Sequence, residues 1–171
     1  LRVIHLTTHL SLVDALKRVK TDRIVLCTRA ANDHAKQLGF EKPRIAVCGV
    51  NPHSGDGGLF GIEEAEEIAP AVAILRKEGI DADGPVSPDS AYRIAYGGGY
   101  DIVVAMYHDQ GHIPMKLVGF SDGVNVTVGL PIIRTSVDHG TAFDIAWQGK
   151  ADHANMVAAI DYAYRLATGT G

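Results

Sequence analysis

The 171 residues predict an α/β fold, a layered α/β/α arrangement around a mostly parallel sheet. Three observations carry that prediction. Short apolar runs rich in Val and Ile alternate with stretches of helical spacing. Runs of four to seven such residues suit buried strands. Polar clusters follow the runs directly, where open α/β sheets gather their ligand groups.

Taken in order, "RVIHLT" predicts a first strand and "SLVDALKRV" a helix from Leu12 to Val19. Ser11 is placed to cap that helix, with Asp14 in its electropositive first turn. "IVLC" and "RIAVCGV" both read as strands. A long helix starts near Ile62, with Glu63, Glu64, Glu66 and Glu67 crowding its N-terminal end, and it stops at Gly79. Pro70 is expected to kink or split it, because proline removes an internal hydrogen bond. "YGGGY" is a glycine turn before the strand "DIVVAMY". "GVNVTVGL" and "IIRTSV" predict further strands, and "NMVAAIDYAYRLATG" a closing helix. No repeat or low-complexity linker divides the chain, so it counts as one domain or one lobe of a larger molecule.

Composition excludes several function classes. With 46% hydrophobic and 6% aromatic residues, the chain has enough apolar matter for a core. Its net charge of -4 is uneven, with nine Lys/Arg against four Asp/Glu in residues 1–45 and three against nine in residues 46–100. Neither segment is a strong polyelectrolyte face, so nucleic acid is not an expected partner. No apolar run is long enough to span a bilayer, and no signal peptide is visible. Cys27 and Cys48 read as buried free thiols, which implies a reducing, cytoplasmic compartment. The opening "LRVIHLTTH" reads as the middle of a strand, which suggests a fragment or a processed product.

Four polar clusters sit at the strand exits. "LTTHLSL" places His9 just before a helix; alone, such a histidine is more often a loop hydrogen-bonding group than a ligand. "VCGVNPHSGDGGLFG" places His53 in a glycine-rich loop that has neither the lysine of a Walker loop nor the spacing of a dinucleotide fingerprint. "MYHDQGH" carries His108 and His112 four residues apart, as metal ligands on one helical face would be, yet Gly111 and Pro114 argue against a regular helix there. Asp109 reads either as a turn cap or as an orienting carboxylate beside His108. If successive parallel strands return to one edge, His9, His53 and His108 would offer three neutral nitrogens with coordination positions left open, as in catalytic divalent-metal sites. The fourth cluster, "LPIIRTSVDHGTAFDIAWQGKAD", carries Arg134 near its start, which can hold a phosphate or carboxylate by two bonds. Lys116 adds a point charge, and as ordinary surface cations the two would be unremarked.

Together "TTHLSL", "CGVNPHSGDGG", "AMYHDQGHIPMK", "GVNVTVGLPIIRTSVDHGTAFDIA" and "GKAD" resemble the C-terminal half of the 4-hydroxythreonine-4-phosphate dehydrogenase family of vitamin B6 biosynthesis. The resemblance runs through nearly the whole chain, but it covers only about half of a family-length protein. The half that supplies the family's "HT" substrate contact and the opposite wall of the cleft lies outside these 171 residues. The resemblance implies an isocitrate/isopropylmalate dehydrogenase-like fold and a homodimer whose active site is shared between subunits. It assigns metal binding to His9, His53 and His108, and substrate binding to Lys116, Asn125 and Arg134. His108, Asp109 and Lys116 become the candidate catalytic groups.

"DHGTAFDIA" is also similar to the adenosine-binding loop of isopropylmalate and isocitrate dehydrogenases. By that similarity His139, Gly140, Thr141, Ala142 and Asp144 would hold the adenosine half of NAD, and the Asp144 carboxylate would repel the extra phosphate of NADP. The implied activity is an oxidative decarboxylation, dependent on NAD and a divalent metal (Zn, or Mg, Co or Mn), of a phosphorylated hydroxy acid. 4-Hydroxythreonine 4-phosphate is the first candidate. His112 stands where the vitamin B6 branch has leucine, and this form looks more like the paralogues that act on D-threonate or D-erythronate 4-phosphate. Two rival readings stay open: a metal- and nucleotide-binding half without catalysis, and a metal hydrolase built on the same three histidines.

Overall fold

The computed structural model describes residues 1–119 and 123–169. Four strands, β1 (Val3–His5), β2 (Arg44–Cys48), β3 (Asp81–Val86) and β4 (Ile102–Ala105), form one sheet in the order β1-β4-β2-β3. Every pairing in it is parallel. The helices are α1 (Leu12–Lys17), α2 (Thr21–Gln37), α3 (Ala69–Lys77), α4 (Pro88–Tyr96), α5 (His108–Val118) and α6 (Ala154–Thr168). Strands β5 (Val124–Thr127) and β6 (Arg134–Val137) make a separate antiparallel pair. Helix α6 joins that pair, with the Thr135 hydroxyl donating to the Ala159 carbonyl at 2.8 Å.

Strand alternation builds the layers. Ile45, Val47 and Val104 turn one way, against Ile24 and Val25 of α2 and Val72 and Leu75 of α3. Ala46, Cys48 and Val103 turn the other way, against Ala91 and Ala95 of α4. Leu75, Ile24 and Ile45 are completely buried, and each such side chain contributes about 1.5–3 kcal/mol through removal from water. This is the α/β/α layering around a parallel sheet that the sequence predicts.

Several elements differ from the sequence reading. "IVLC" is part of the helix α2: Ile24, Val25, Thr28, Ala31, Asn32 and Ala35 are its buried residues, and their spacing marks one helical face. The segments "DADGPV" and "PDSAYRIAY", which the sequence reading leaves unassigned, form β3 and α4. The helix expected from Ile62 arrives in two parts, a π-helical turn at Glu64–Ile68 and then α3, and Pro70 lies in the first turn of the second part. Ser11 does cap α1, its hydroxyl accepting the Asp14 N–H at 3.2 Å. Cys27 and Cys48 are both free, and burial pushes each thiol up to about 12. Among the described residues no helix is long and apolar enough to cross a membrane.

Candidate active site

Because β1, β4 and β2 are neighbours and parallel, the loops carrying His9, His108 and His53 leave the same edge of the sheet. Polar side chains tie these exits together. The buried Thr7 hydroxyl donates to the Met106 carbonyl at 2.9 Å, joining the exits of β1 and β4. Gln110 accepts the Met106 N–H at 2.7 Å and donates to the Gly49 carbonyl at 2.8 Å, joining β4 to β2. These bonds spend the backbone groups that would otherwise be orphaned where the strands end.

His108 is the first residue of α5, which runs through both Gly111 and Pro114, contrary to the break read from the sequence. Gln110 anchors the start of the helix, and tertiary contacts outweigh the local cost of the glycine and proline. Asp109 approaches the Nδ1 of His108 at 2.6 Å, which leaves Nε2 as the imidazole's other coordinating nitrogen. The rings of His9 and His108 have centroids 6.0 Å apart. Two imidazoles on one tetrahedral ion, with bonds of about 2.1 Å, place their centroids roughly 5.3 Å apart, so this pair stands near each other but wider than a shared ion would hold it.

His53 does not join them. Its loop, Pro52–Gly58, holds left-handed backbone from His53 to Gly57, including the non-glycine residues His53, Ser54 and Asp56. Such conformations persist only when their surroundings enforce them. The enforcing group is Glu64, which accepts the N–H groups of Val50 and Asn51, each at 2.7 Å, and the Asn51 side-chain amide at 2.8 Å. Burial alone would raise the Glu64 carboxyl, but the bonds from Asn51 and Val50 outweigh it and hold the group below its ordinary value. The imidazole of His53 is exposed and lies 3.9 Å from the Asp89 carboxylate. Among the described residues, no three His, Cys, Asp or Glu side chains converge closely enough to hold a metal ion. The described residues thus bring two of the three expected imidazoles near each other, and the donor set would fit a metal only with a further ligand from outside the chain.

The anion-binding candidates converge better. His9, His108, Lys116, Asn125, Arg134 and His139 all line one cleft of about 990 Å³ between the sheet edge and the β5–β6 pair. The Lys116 ammonium donates to the Asp138 carboxylate at 2.8 Å and to the Asp138 carbonyl at 3.0 Å. Arg134 donates to the Thr127 hydroxyl at 2.7 Å. His139 Nδ1 donates to the Gly140 carbonyl at 2.8 Å. Gly140, Thr141, Ala142 and Asp144 are exposed and lie beyond the cleft lining, in a loop where Ala142 adopts left-handed backbone and Asp144 enters the short turn Phe143–Ile145.

Sequence reasoning missed His5, Asp138 and the structural weight of Glu64. His5 ends β1 on the cleft floor, its Nε2 3.0 Å from the Nδ1 of His112. Burial, then the neighbouring imidazoles of His112 and His108, lower the His5 pKa to about 4. Burial and His108 likewise lower that of His112. No local motif announces His5, because its partner lies 107 residues away.

Residues 1–163 match the model of the family described as pyridoxal phosphate biosynthetic protein PdxA. The chain is 55% identical over 167 residues to the D-threonate 4-phosphate dehydrogenase of Pectobacterium atrosepticum, covering 98% of this chain and 51% of that protein. It is 51% identical over 170 residues to the 4-hydroxythreonine-4-phosphate dehydrogenase of Beijerinckia indica, covering 99% of this chain and 50% of that one. A crystal structure of 4-hydroxythreonine-4-phosphate dehydrogenase from Klebsiella pneumoniae superposes with a TM-score of 0.89 at 54% identity, over 96% of this chain and 50% of the other. The chain therefore spans about half the length of the relatives it matches.

Proposed function

Since the chain belongs to the pyridoxal phosphate biosynthetic protein PdxA family, we propose that it forms one wall of the active site of an NAD- and divalent-metal-dependent dehydrogenase that oxidises and decarboxylates a phosphorylated four-carbon hydroxy acid. The observation that carries this reading is the convergence of His9, His108, Lys116, Asn125 and Arg134 on one cleft. Nitrogen donors and anion-binding groups facing a common space suit a substrate with an oxidisable hydroxyl at one end and a phosphate at the other.

Lys116, Asn125 and Arg134 hold the anionic groups of the substrate, so that binding energy gained far from the reacting carbon orients it. Asp109 fixes the tautomer and direction of His108. His9 and His108 would hold the metal, with the third nitrogen, a histidine equivalent to His53, reaching the cleft from a second copy in a homodimer. When bound, a divalent ion supplies the Lewis acidity that eases loss of the hydroxyl proton and stabilises the negative charge left by departing CO2, while NAD accepts the hydride. Zinc suits the nitrogen donors, and magnesium, cobalt or manganese would serve if substrate oxygens complete the shell. His139 and the loop through Gly140, Thr141, Ala142 and Asp144 are the proposed adenosine-binding segment. The free, unreactive thiols of Cys27 and Cys48 fit a cytoplasmic enzyme.

Between the two substrates, D-threonate 4-phosphate is our first choice, supported by His112 and by the name of the Pectobacterium relative. 4-Hydroxythreonine 4-phosphate is the second, supported by the name of the Beijerinckia relative. Turnover of both by the intact protein, measured side by side as NADH formation, decides between them. A kcat/KM at least tenfold higher on the D-threonate compound is expected, and the reverse ratio would move the chain to the other branch.

A further inference from the structure

Two imidazoles on the floor of the cleft have no part in the chemistry described so far. His5 comes from β1 and His112 from α5, and their nitrogens meet at 3.0 Å. His112 also lies flat against His108, with ring centroids 4.0 Å apart and planes 6° from parallel. Beyond it, the Nε2 of His112 faces the Asp138 carboxylate at 3.9 Å, and that carboxylate is held by Lys116.

The chain makes a local sacrifice to bring these groups together. Gly111 is the one residue of α5 that is buried, and a Cβ there would stand 2.2 Å from the Nε2 of His5 and 2.9 Å from the Val3 side chain. Glycine inside a helix is less favourable than alanine, and half-burying two imidazoles costs more than burying apolar rings of the same shape. Space-filling alone would not call for this arrangement. A flat stack on one face of His108 and the Asp109 carboxylate at its edge together restrain the ring about both free torsions.

We infer that His5 and His112 are positioning residues: His5 holds His112 in place, and His112 sets the plane of His108, so that His108 keeps its outer nitrogen aimed into the cleft toward His9. This role rests on the proposal that His108 binds a divalent ion. Groups hydrogen-bonded to a ligating imidazole typically change metal affinity 10–100-fold when they are removed, and a stacked ring that fixes the same imidazole is expected to act at the lower end of that range.

The test is a Co2+ titration of the intact, chelator-stripped protein without NAD or substrate, read by the visible ligand-field spectrum of cobalt. His112→Ala and His5→Leu are expected to weaken Co2+ binding at least tenfold and to shift the spectrum. His112→Phe keeps a flat ring against His108 and is expected to recover most of the affinity lost in His112→Ala. If His112→Ala does not fold, the same prediction is read from His5→Leu, which leaves His112 unheld, with His112→Phe for comparison. Wild-type affinity and an unchanged spectrum in folded His5→Leu and His112→Ala would overturn the inference while leaving the metal reading intact, provided that His108→Ala abolishes binding. A wild-type protein that takes up no Co2+ would overturn both.

Discussion

The imidazoles of His108 and His112 stack one helical turn apart on α5, 4.0 Å between centroids, and the Nδ1 of His112 bonds at 3.0 Å to His5 on β1. This places a continuous set of nitrogens along the floor of a cleft whose far side carries Asn125 and Arg134.

Gly111→Ala should destabilise the protein even though alanine is the better helix former. A methyl group would intrude on His5 and Val3 from 2.2 and 2.9 Å, and the displacement cost of about 1–3 kcal/mol exceeds the gain of about 1 kcal/mol in helix propensity. Thermal unfolding should show a lower Tm, and adding His5→Ala, which empties the closest contact, should restore part of the loss.

Glu64→Gln should loosen the loop that presents His53. The substitution replaces a carboxylate that accepts from Val50 and Asn51 with an amide that can turn a donor toward them. Hydrogen bonds to a charged group contribute about 1.5–3 kcal/mol each, so a loss of roughly 2–4 kcal/mol is expected in urea unfolding, with hydrogen exchange rising first across residues 50–58.

Acid should weaken the metal-free protein through His5. Its folded pKa lies at about 4, against 6.5 for the ordinary group. Between those values the unfolded chain binds a proton that the folded chain refuses. Stability is therefore unaffected above pH 6.5 and falls as pH drops toward 4, by up to about 1.4 kcal/mol per pH unit. His5→Leu should flatten this part of the stability curve, as measured by denaturant midpoints across the range.

The fold was largely legible because buried parallel strands leave an unambiguous mark: "RIAVC" and "DIVVA" are continuous Val/Ile runs bounded by turn residues. Helix α2 was misread at "IVLC" because Ala31, Asn32 and Ala35 pack a helical face with small or polar residues, leaving four apolar residues as the strongest local signal. Helix α5 was misread because glycine and proline report local cost, whereas Gly111 serves a contact with His5 on the distant strand β1. The same limit hid His5 and Asp138. Their roles arise from where β1, α5 and β6 meet, and no spacing within one segment encodes that meeting. That His9 and His108 would share one end of the molecule was legible because each follows a strand of the parallel sheet, whereas Lys116 reaches the cleft from α5 and Asn125 and Arg134 from the separate β5–β6 pair, a placement that only the family resemblance suggested.

Arg134→Met should act on binding more than on chemistry. The guanidinium lines the cleft on β6 and donates to Thr127. Loss of a two-point phosphate contact is expected to raise KM for the phosphorylated substrate by about 10–100-fold with a smaller change in kcat. Steady-state kinetics with varied substrate checks the split.

The most direct test of the central claim is NADH formation from D-threonate 4-phosphate by the intact protein, wild type beside His108→Ala, before and after chelation and metal return. Activity in the wild type that chelation removes and a divalent metal restores is expected, with at least a thousandfold loss in a folded His108→Ala protein. Metal-independent activity, or a His108→Ala variant that turns over like the wild type, would contradict it.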